Sequence, residues 1–276
     1  MKNNHFFLPW CCMGFLLLVG STAWADPIRI SGTGALLSSV KQVTDIHTQR
    51  HPDVQTQFIF PPIGSSGAIK AVANKQLDIA LSGRPLKKEE ESADLKQTWL
   101  GRSPFIFVVH KASPTTKATF IQLIEWYSGR QKTWPDGAKV RVVLRPPSDT
   151  DTAILRGISP SMDEAITSAY ANRQPGSSMA DTDIDLVDMV EKVPGGLGSV
   201  ALPLILAERR PLKGLILDGV EPTVSSMDNN SYKHVKQAFL IVRADAPSHV
   251  RAIIEFLLTA EAKDMLLKLG ISSKEP

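Results

Sequence analysis

Apolar residues recur along this chain in two alternating rhythms, one of period two and one close to 3.6. Ile28 to Ile30 is a short apolar strand. Leu36, Leu37, Val40, Val43 and Ile46 then fall at helical spacing within Ala35 to Arg50, and Pro52 stops that helix. Val54 to Phe60, alternating with Gln55 and Gln57, is a strand; a helix over Ala68 to Lys75 and an apolar strand over Leu77 to Leu81 follow. A β-α-β-α-β opening of this kind predicts a parallel sheet with helices on both faces. Lys87 to Lys96 is a charged, exposed helix, Pro104 to His110 a buried strand, and Phe120 to Tyr127 an amphipathic helix ended by Ser128-Gly129. After the Trp134-Pro135-Asp136-Gly137 turn comes a strand over Val140 to Leu144. Helices over Ala153 to Arg156 and Ser161 to Asn172, a polar stretch over Gln174 to Asp183 and an acidic helix over Asp183 to Lys192 follow. Strands at Ser199 to Leu202, Leu215 to Leu217 and Val235 to Val242 precede two closing helices, Pro247 to Thr259 and Ala260 to Leu269.

The strand-helix pattern restarts after His110, and the chain ends on a strand and helices without a local partner. That predicts an α/β fold of two lobes, joined by two hinge crossovers at PFIFVVH and HVKQAFLIV. A ligand clamp that closes by hinge motion uses such a layout. The predicted lobes are residues 26–108 with 241–276, and 109–240.

Three strand-to-helix turns are rich in Gly, Ser or Thr: Ser31-Gly32-Thr33-Gly34, Gly64-Ser65-Ser66-Gly67, and Arg145-Pro146-Pro147-Ser148-Asp149-Thr150-Asp151-Thr152. The start of a helix presents unpaired N–H groups and the positive end of its dipole, a setting that suits an oxyanion. A serine there also serves as a plain cap. Three such turns, one bearing an arginine, favour an anion-binding cleft at the carboxyl ends of the strands.

Composition narrows the classes. The chain has 276 residues and a net charge of +3, with no basic run or aromatic stacking pattern, so its composition gives no footprint for nucleic acid. Lys2, the apolar stretch Phe6 to Val19 and Ala23-Trp24-Ala25 form a secretory signal cleaved before Asp26. Both cysteines, Cys11 and Cys12, lie inside it, so the exported chain has no disulfide, thiol catalyst or cysteine-bound metal. No later apolar run is long enough to span a bilayer, and a periplasmic monomer is expected.

The succession GTGALLSS, PPIGSSGAIKAVANKQLDIALSGRPL, WPDG, VVLRPPSDTDTAIL, PGGLGSVAL and LDGVEPT resembles the phosphate-binding proteins of ABC transporters, over nearly all of the exported chain. The resemblance implies a two-lobed type II periplasmic-binding-protein fold, each lobe a mainly parallel sheet with flanking helices, closing on one phosphate ion. It implies an anion held by Gly34, Ala35 and Leu36 in the first turn and by Ser65, Ser66 and Gly67 in the second. Ser82, Gly83 and Arg84 follow the third strand, and Arg145, Thr150 and Thr152 come from the second lobe. Leu36 replaces the family's threonine, leaving backbone N–H groups helped by Thr33, and Gly83 stands where the family often has an aspartate that accepts the phosphate proton. Arg84 either adds charge to the site or pairs with the acidic run Glu89 to Glu91. Asp149 and Asp151 are helix caps or, in one case, the replacement acceptor. Arg145 can hold two oxygens with its fork.

Other classes fare worse. Ala68 breaks the glycine-flanked serine elbow of a hydrolase. His47 and His51, four apart, lack a third metal ligand in sequence. The expectation is therefore a non-enzymatic binder of phosphate or another small oxyanion, with neither cofactor nor metal, serving a membrane ABC permease. A sensory receptor is the alternative partner.

Overall fold

The computed structural model describes residues 26–91, 94–172 and 179–275. The expected signal segment and residues 174–178 of the polar stretch lie outside them. In chain order the first part contains β1 (Ile28–Gly32), α1 (Gly34–Arg50), β2 (Thr56–Phe58), α2 (Gly64–Ala73), β3 (Ile79–Ser82), α3 (Lys88–Glu91) and β4 (Leu95–His110). The middle contains β5 (Lys117–Ala118), α4 (Phe120–Ser128), β6 (Arg141–Val142), α5 (Thr150–Ile158), α6 (Pro160–Ala171) and α7 (Asp183–Lys192). Then come β7 (Gly196–Ala201), α8 (Leu202–Ala207), β8 (Leu212–Gly214), β9 (Ile216–Leu217), α9 (Val224–Asp228), β10 (Val235–Arg243), α10 (Ser248–Leu257) and α11 (Ala260–Lys268).

The main sheet runs β2-β1-β3-β10-β4-β7-β6, with β8 also on β4. β1 pairs in parallel with β2 and β3, and β6 in parallel with β7, whereas β10 is antiparallel to both β3 and β4. β4 and β10 are the two crossovers. Leu95 to Pro104 pair with β10, and the next residues, Phe105 to His110, pair with β7 and β8.

Alternation along β4 sends successive side chains to opposite faces of the sheet. Phe105, Phe107 and Val109 enter a core with α4, α5 and α6, while Ile106 and Val108 enter one with α7 and α8. Leu100, Ala238 and Leu240 belong instead to the core of β1, α1, α10 and α11. The change of core on β4 thus falls near residue 104, inside an uninterrupted strand whose hydrophobic pattern carries no punctuation. The same strand takes Leu95 and Lys96 from the helix expected over Lys87 to Lys96, and among the described residues of that span α3 is the helical part.

The two halves also touch beyond the sheet. Ser38 Oγ of α1 donates to Glu208 Oε1 at 2.6 Å, and Gln42 Nε2 donates to the Ala207 carbonyl at 2.8 Å. Residues 64–67, expected as a turn before a helix, form the first turn of α2 itself, with Gly64 at φ 72° supplying the bend.

Candidate functional site

Where β1 meets α1, the Thr33 amide donates to the Leu81 carbonyl at 2.9 Å, tying the first turn to β3. Thr33 occupies the N-cap position of α1, yet its hydroxyl does not cap that helix. It donates instead to Asp183 Oδ2, at 2.8 Å, across to the first residue of α7. Ala35 and Leu36 are buried in the core behind the turn, and the Leu36 amide donates to the Thr33 carbonyl at 3.1 Å. The backbone donor expected of Leu36 is therefore used inside the turn. Gly34 faces the seam, and a Cβ added to it would stand 3.1 Å from Asp183 Cβ.

The second and third turns are joined to each other. The buried Ser65 Oγ accepts from the Gly83 amide at 3.0 Å, and a hydroxyl that accepts there keeps its own proton to donate. Ser82 Oγ bonds the Arg84 carbonyl at 2.6 Å. Arg84 makes a bidentate pair with Glu90, both contacts at 2.7 Å, and reaches the exposed Ser66 Oγ at 2.9 Å. The alternative left by the sequence resolves to the salt bridge with the acidic run. Gly67, partly buried, packs its Cα side toward Ile63.

The arginine loop is more tightly bound than its residue types suggest. Asp149 caps α5 through the Asp151 amide at 2.9 Å and also accepts from Arg145 Nη2 at 2.8 Å, so it is both cap and ion-pair partner. Arg145 Nη2 reaches the Asp181 carbonyl at 3.2 Å as well. Thr152 donates to the Pro146 carbonyl at 2.9 Å, which braces the loop rather than aiming the hydroxyl into the cleft. Thr150, half-buried, begins α5.

At the centre lie four charged side chains, each at least nine-tenths buried: Arg145, Asp151, Asp183 and Lys236. Asp183 Oδ1 is 3.3 Å from Arg145 Nη1 and 3.2 Å from Lys236 Nζ. Lys236 also forms a close ion pair with Asp151, whose Oδ2 is 3.9 Å from Arg145 Nη1. Lys236 reaches this point from the crossover β10 because Gly83 has no side chain: a Cβ there would stand 2.6 Å from Lys236 Cε. A cation thus fills the space beside the position where the phosphate-binding family often carries an acid.

The electrostatics follow from burial. Desolvation raises the Asp151 carboxyl to about 7, opposed by Lys236 and Arg145 and reinforced by Asp183 and Asp149. Burial also penalises the Asp183 anion, but Lys236 and Arg145, with the hydrogen bond from Thr33, outweigh it and hold Asp183 well below the usual carboxylate range. For Lys236, burial works against the charge, and Asp151, Asp183 and Asp149 more than restore it. Near neutral pH, Arg145 and Lys236 are thus matched by Asp149 and Asp183, with Asp151 poised to take or release a proton.

Asp183 and Lys236 were not among the residues singled out from sequence. For Lys236 a signal exists: it shares the inward parity of β10 with Ala238 and Leu240, and a lysine on the core face of an alternating strand needs a buried counter-charge. Asp183 carries none, since an acidic residue in the first turn of a helix is ordinary. Among the described residues no group of three His, Cys, Asp or Glu side chains could hold a metal ion, and His47 stacks on Phe256 with ring centroids 4.1 Å apart. No helix among them is long and apolar enough to cross a membrane.

Comparison with known proteins agrees with the resemblance drawn from the motifs. The phosphate-binding protein PstS of Borreliella burgdorferi is 24% identical over 225 residues, covering 78% of this chain and 79% of that protein. A Clostridium perfringens substrate-binding protein assigned to phosphate ABC transport and solved with bound phosphate superposes with a TM-score of 0.76 at 21% identity, over 91% of this chain and all of that one. An ABC-type phosphate transport receptor from Vibrio cholerae superposes at 0.61 and 18% identity, over 90% and all of the two chains. The two-lobed mixed α/β architecture expected from sequence is the fold of these structures. With the model of the PBP superfamily domain matching residues 19–261, the chain belongs to the PBP superfamily.

Proposed function

We propose that this protein is a periplasmic solute-binding protein, without catalytic activity, that takes phosphate or a related oxyanion between its lobes and delivers it to a membrane ABC permease. The observation that carries this reading is the pair of buried cations, Arg145 and Lys236, converging on one carboxylate, Asp183 at the start of α7, beside the first turn of α1. Burying an arginine and a lysine side by side is costly unless an anion sits between them. Here a carboxylate does, with a hydroxyl from Thr33 and a helix N-terminus behind it, and those are the donors a tetrahedral oxyanion needs. The Ser65 hydroxyl, fixed by the Gly83 amide, adds a donor on the first-lobe side. The kinship with phosphate-binding proteins supports phosphate as the first ligand to try. The two lobes would form the jaws, with β4 and β10 as the hinge.

Isothermal titration calorimetry of residues 26–276, stripped of ligand, against phosphate and then sulfate at pH 7 tests the reading. Phosphate heat that vanishes in a folded Arg145→Ala variant is the expected result. Absence of heat with every oxyanion, in the wild type and in variants of the seam, would reject it.

A further inference from the structure

Taking the seam as the oxyanion site proposed above, we infer that Asp183 is a resident anion on the ligand's seat, a carboxylate that an incoming oxyanion must displace and that thereby sets which ligands bind. Both of its oxygens are engaged: Oδ2 accepts from Thr33 Oγ1, and Oδ1 faces Arg145 Nη1 and Lys236 Nζ. Its Cβ lies against Gly34, at the first turn of α1, where the helix end favours a negative charge. Nothing local requires the side chain to be there. α7 is already closed at its N-terminus by a capping box between Thr182 and Asp185, so Asp183 is free of that duty.

A second observation points to a larger guest. Arg145 is 5% exposed, and its Nε and Nη1 have no hydrogen-bond partner. Buried donors without acceptors are rare and costly. The planar carboxylate has two oxygens, and both are already shared with Thr33, Lys236 and the arginine charge. A tetrahedral oxyanion offers up to four, enough to keep the Thr33 and Lys236 contacts and also to satisfy the idle arginine N–H groups. Displacement then becomes an exchange of a two-oxygen anion for a four-oxygen one. The resident carboxylate acts as a filter against ligands that offer no more than it does, such as small monocarboxylates.

Competition of this kind reduces the observed affinity by the fraction of molecules whose seat is free. The test is titration of inorganic phosphate into wild type and Asp183→Asn at pH 7, with sodium chloride at matched ionic strength as control. Asp183→Asn keeps the shape and removes the charge, and it should bind phosphate about tenfold more tightly or better, although a site residue has been lost. If wild type binds phosphate and Asp183→Asn binds it equally or more weakly, the resident-anion role is overturned and the oxyanion site stands. If neither binds, both fall. Should the variant be too unstable to titrate, its thermal unfolding with and without phosphate decides the matter. A phosphate-induced rise in Tm larger than that of wild type supports the role, because the ligand then supplies the missing charge. No larger rise, or failure to fold with phosphate present, overturns it.

Discussion

Replacing Lys236 by methionine isolates the electrostatics of the seam from its packing. The substitution keeps an unbranched apolar stem against Gly83 and removes the charge from a side chain that is only 2% exposed. At pH 5, Asp151, whose carboxyl is raised to about 7, is protonated in the folded protein and has little need of the ammonium. The loss is then chiefly the Lys236 contact to Asp183, which keeps Arg145 as partner, and should cost about 2 kcal/mol. At higher pH the two proteins diverge. A carboxyl raised in the folded state favours folding at low pH, and that advantage is lost as pH climbs through its folded value. In wild type the loss is complete slightly above pH 7. Without Lys236 the folded Asp151 holds its proton to higher pH still, so the decline continues at about 1.4 kcal/mol per pH unit. The difference should reach about 5 kcal/mol by pH 9, in the range seen when one partner of a buried pair is removed. Urea unfolding followed by tryptophan fluorescence at pH 5, 7 and 9, in phosphate-free buffer, measures it. A difference below about 1 kcal/mol at every pH, or one that does not grow between pH 7 and 9, would refute the burial-driven account of these charges.

Other consequences are simpler. Gly83→Ala places a methyl 2.6 Å from Lys236 Cε, and because Lys236 is held by two carboxylates it should cost about 1–3 kcal/mol in urea unfolding. Moving the ammonium should also weaken phosphate binding in the same preparation. Tyr232→Phe removes the hydroxyl that donates to the Phe105 carbonyl at 2.8 Å beside the crossover strand, and should lower stability by about 1–2 kcal/mol with little change in phosphate affinity. A larger change in affinity than in stability would mean that this contact controls the hinge rather than the core.

Much of the first lobe was legible because its elements are short, strictly periodic and punctuated by glycine, serine and proline. The β-α-β-α-β opening, the turn around Thr33 and the arginine loop all announce themselves by composition and period. The second lobe was harder: β4 runs for 16 residues through both lobes, and its partly exposed first residues, Leu95 to Trp99, have the polarity of a helix surface. Local propensity cannot register a partner, β10, that lies more than a hundred residues later in the chain.

The candidate site divides along the same line. Sequence by itself marked helix-opening turns rich in small donors, and one arginine, as candidates to face an anion, since N-terminal geometry and guanidinium chemistry depend on residues close together in the chain. Only the tertiary structure decided which charges meet there. Arg84 is drawn off by Glu90, Thr152 is turned to its own loop, and Lys236 and Asp183, distant in sequence, are brought within 3.2 Å. The reason is physical: the energy of a buried charge is set by whatever surrounds it in space, and in this chain those surroundings come from β1, α5, α7 and β10 together.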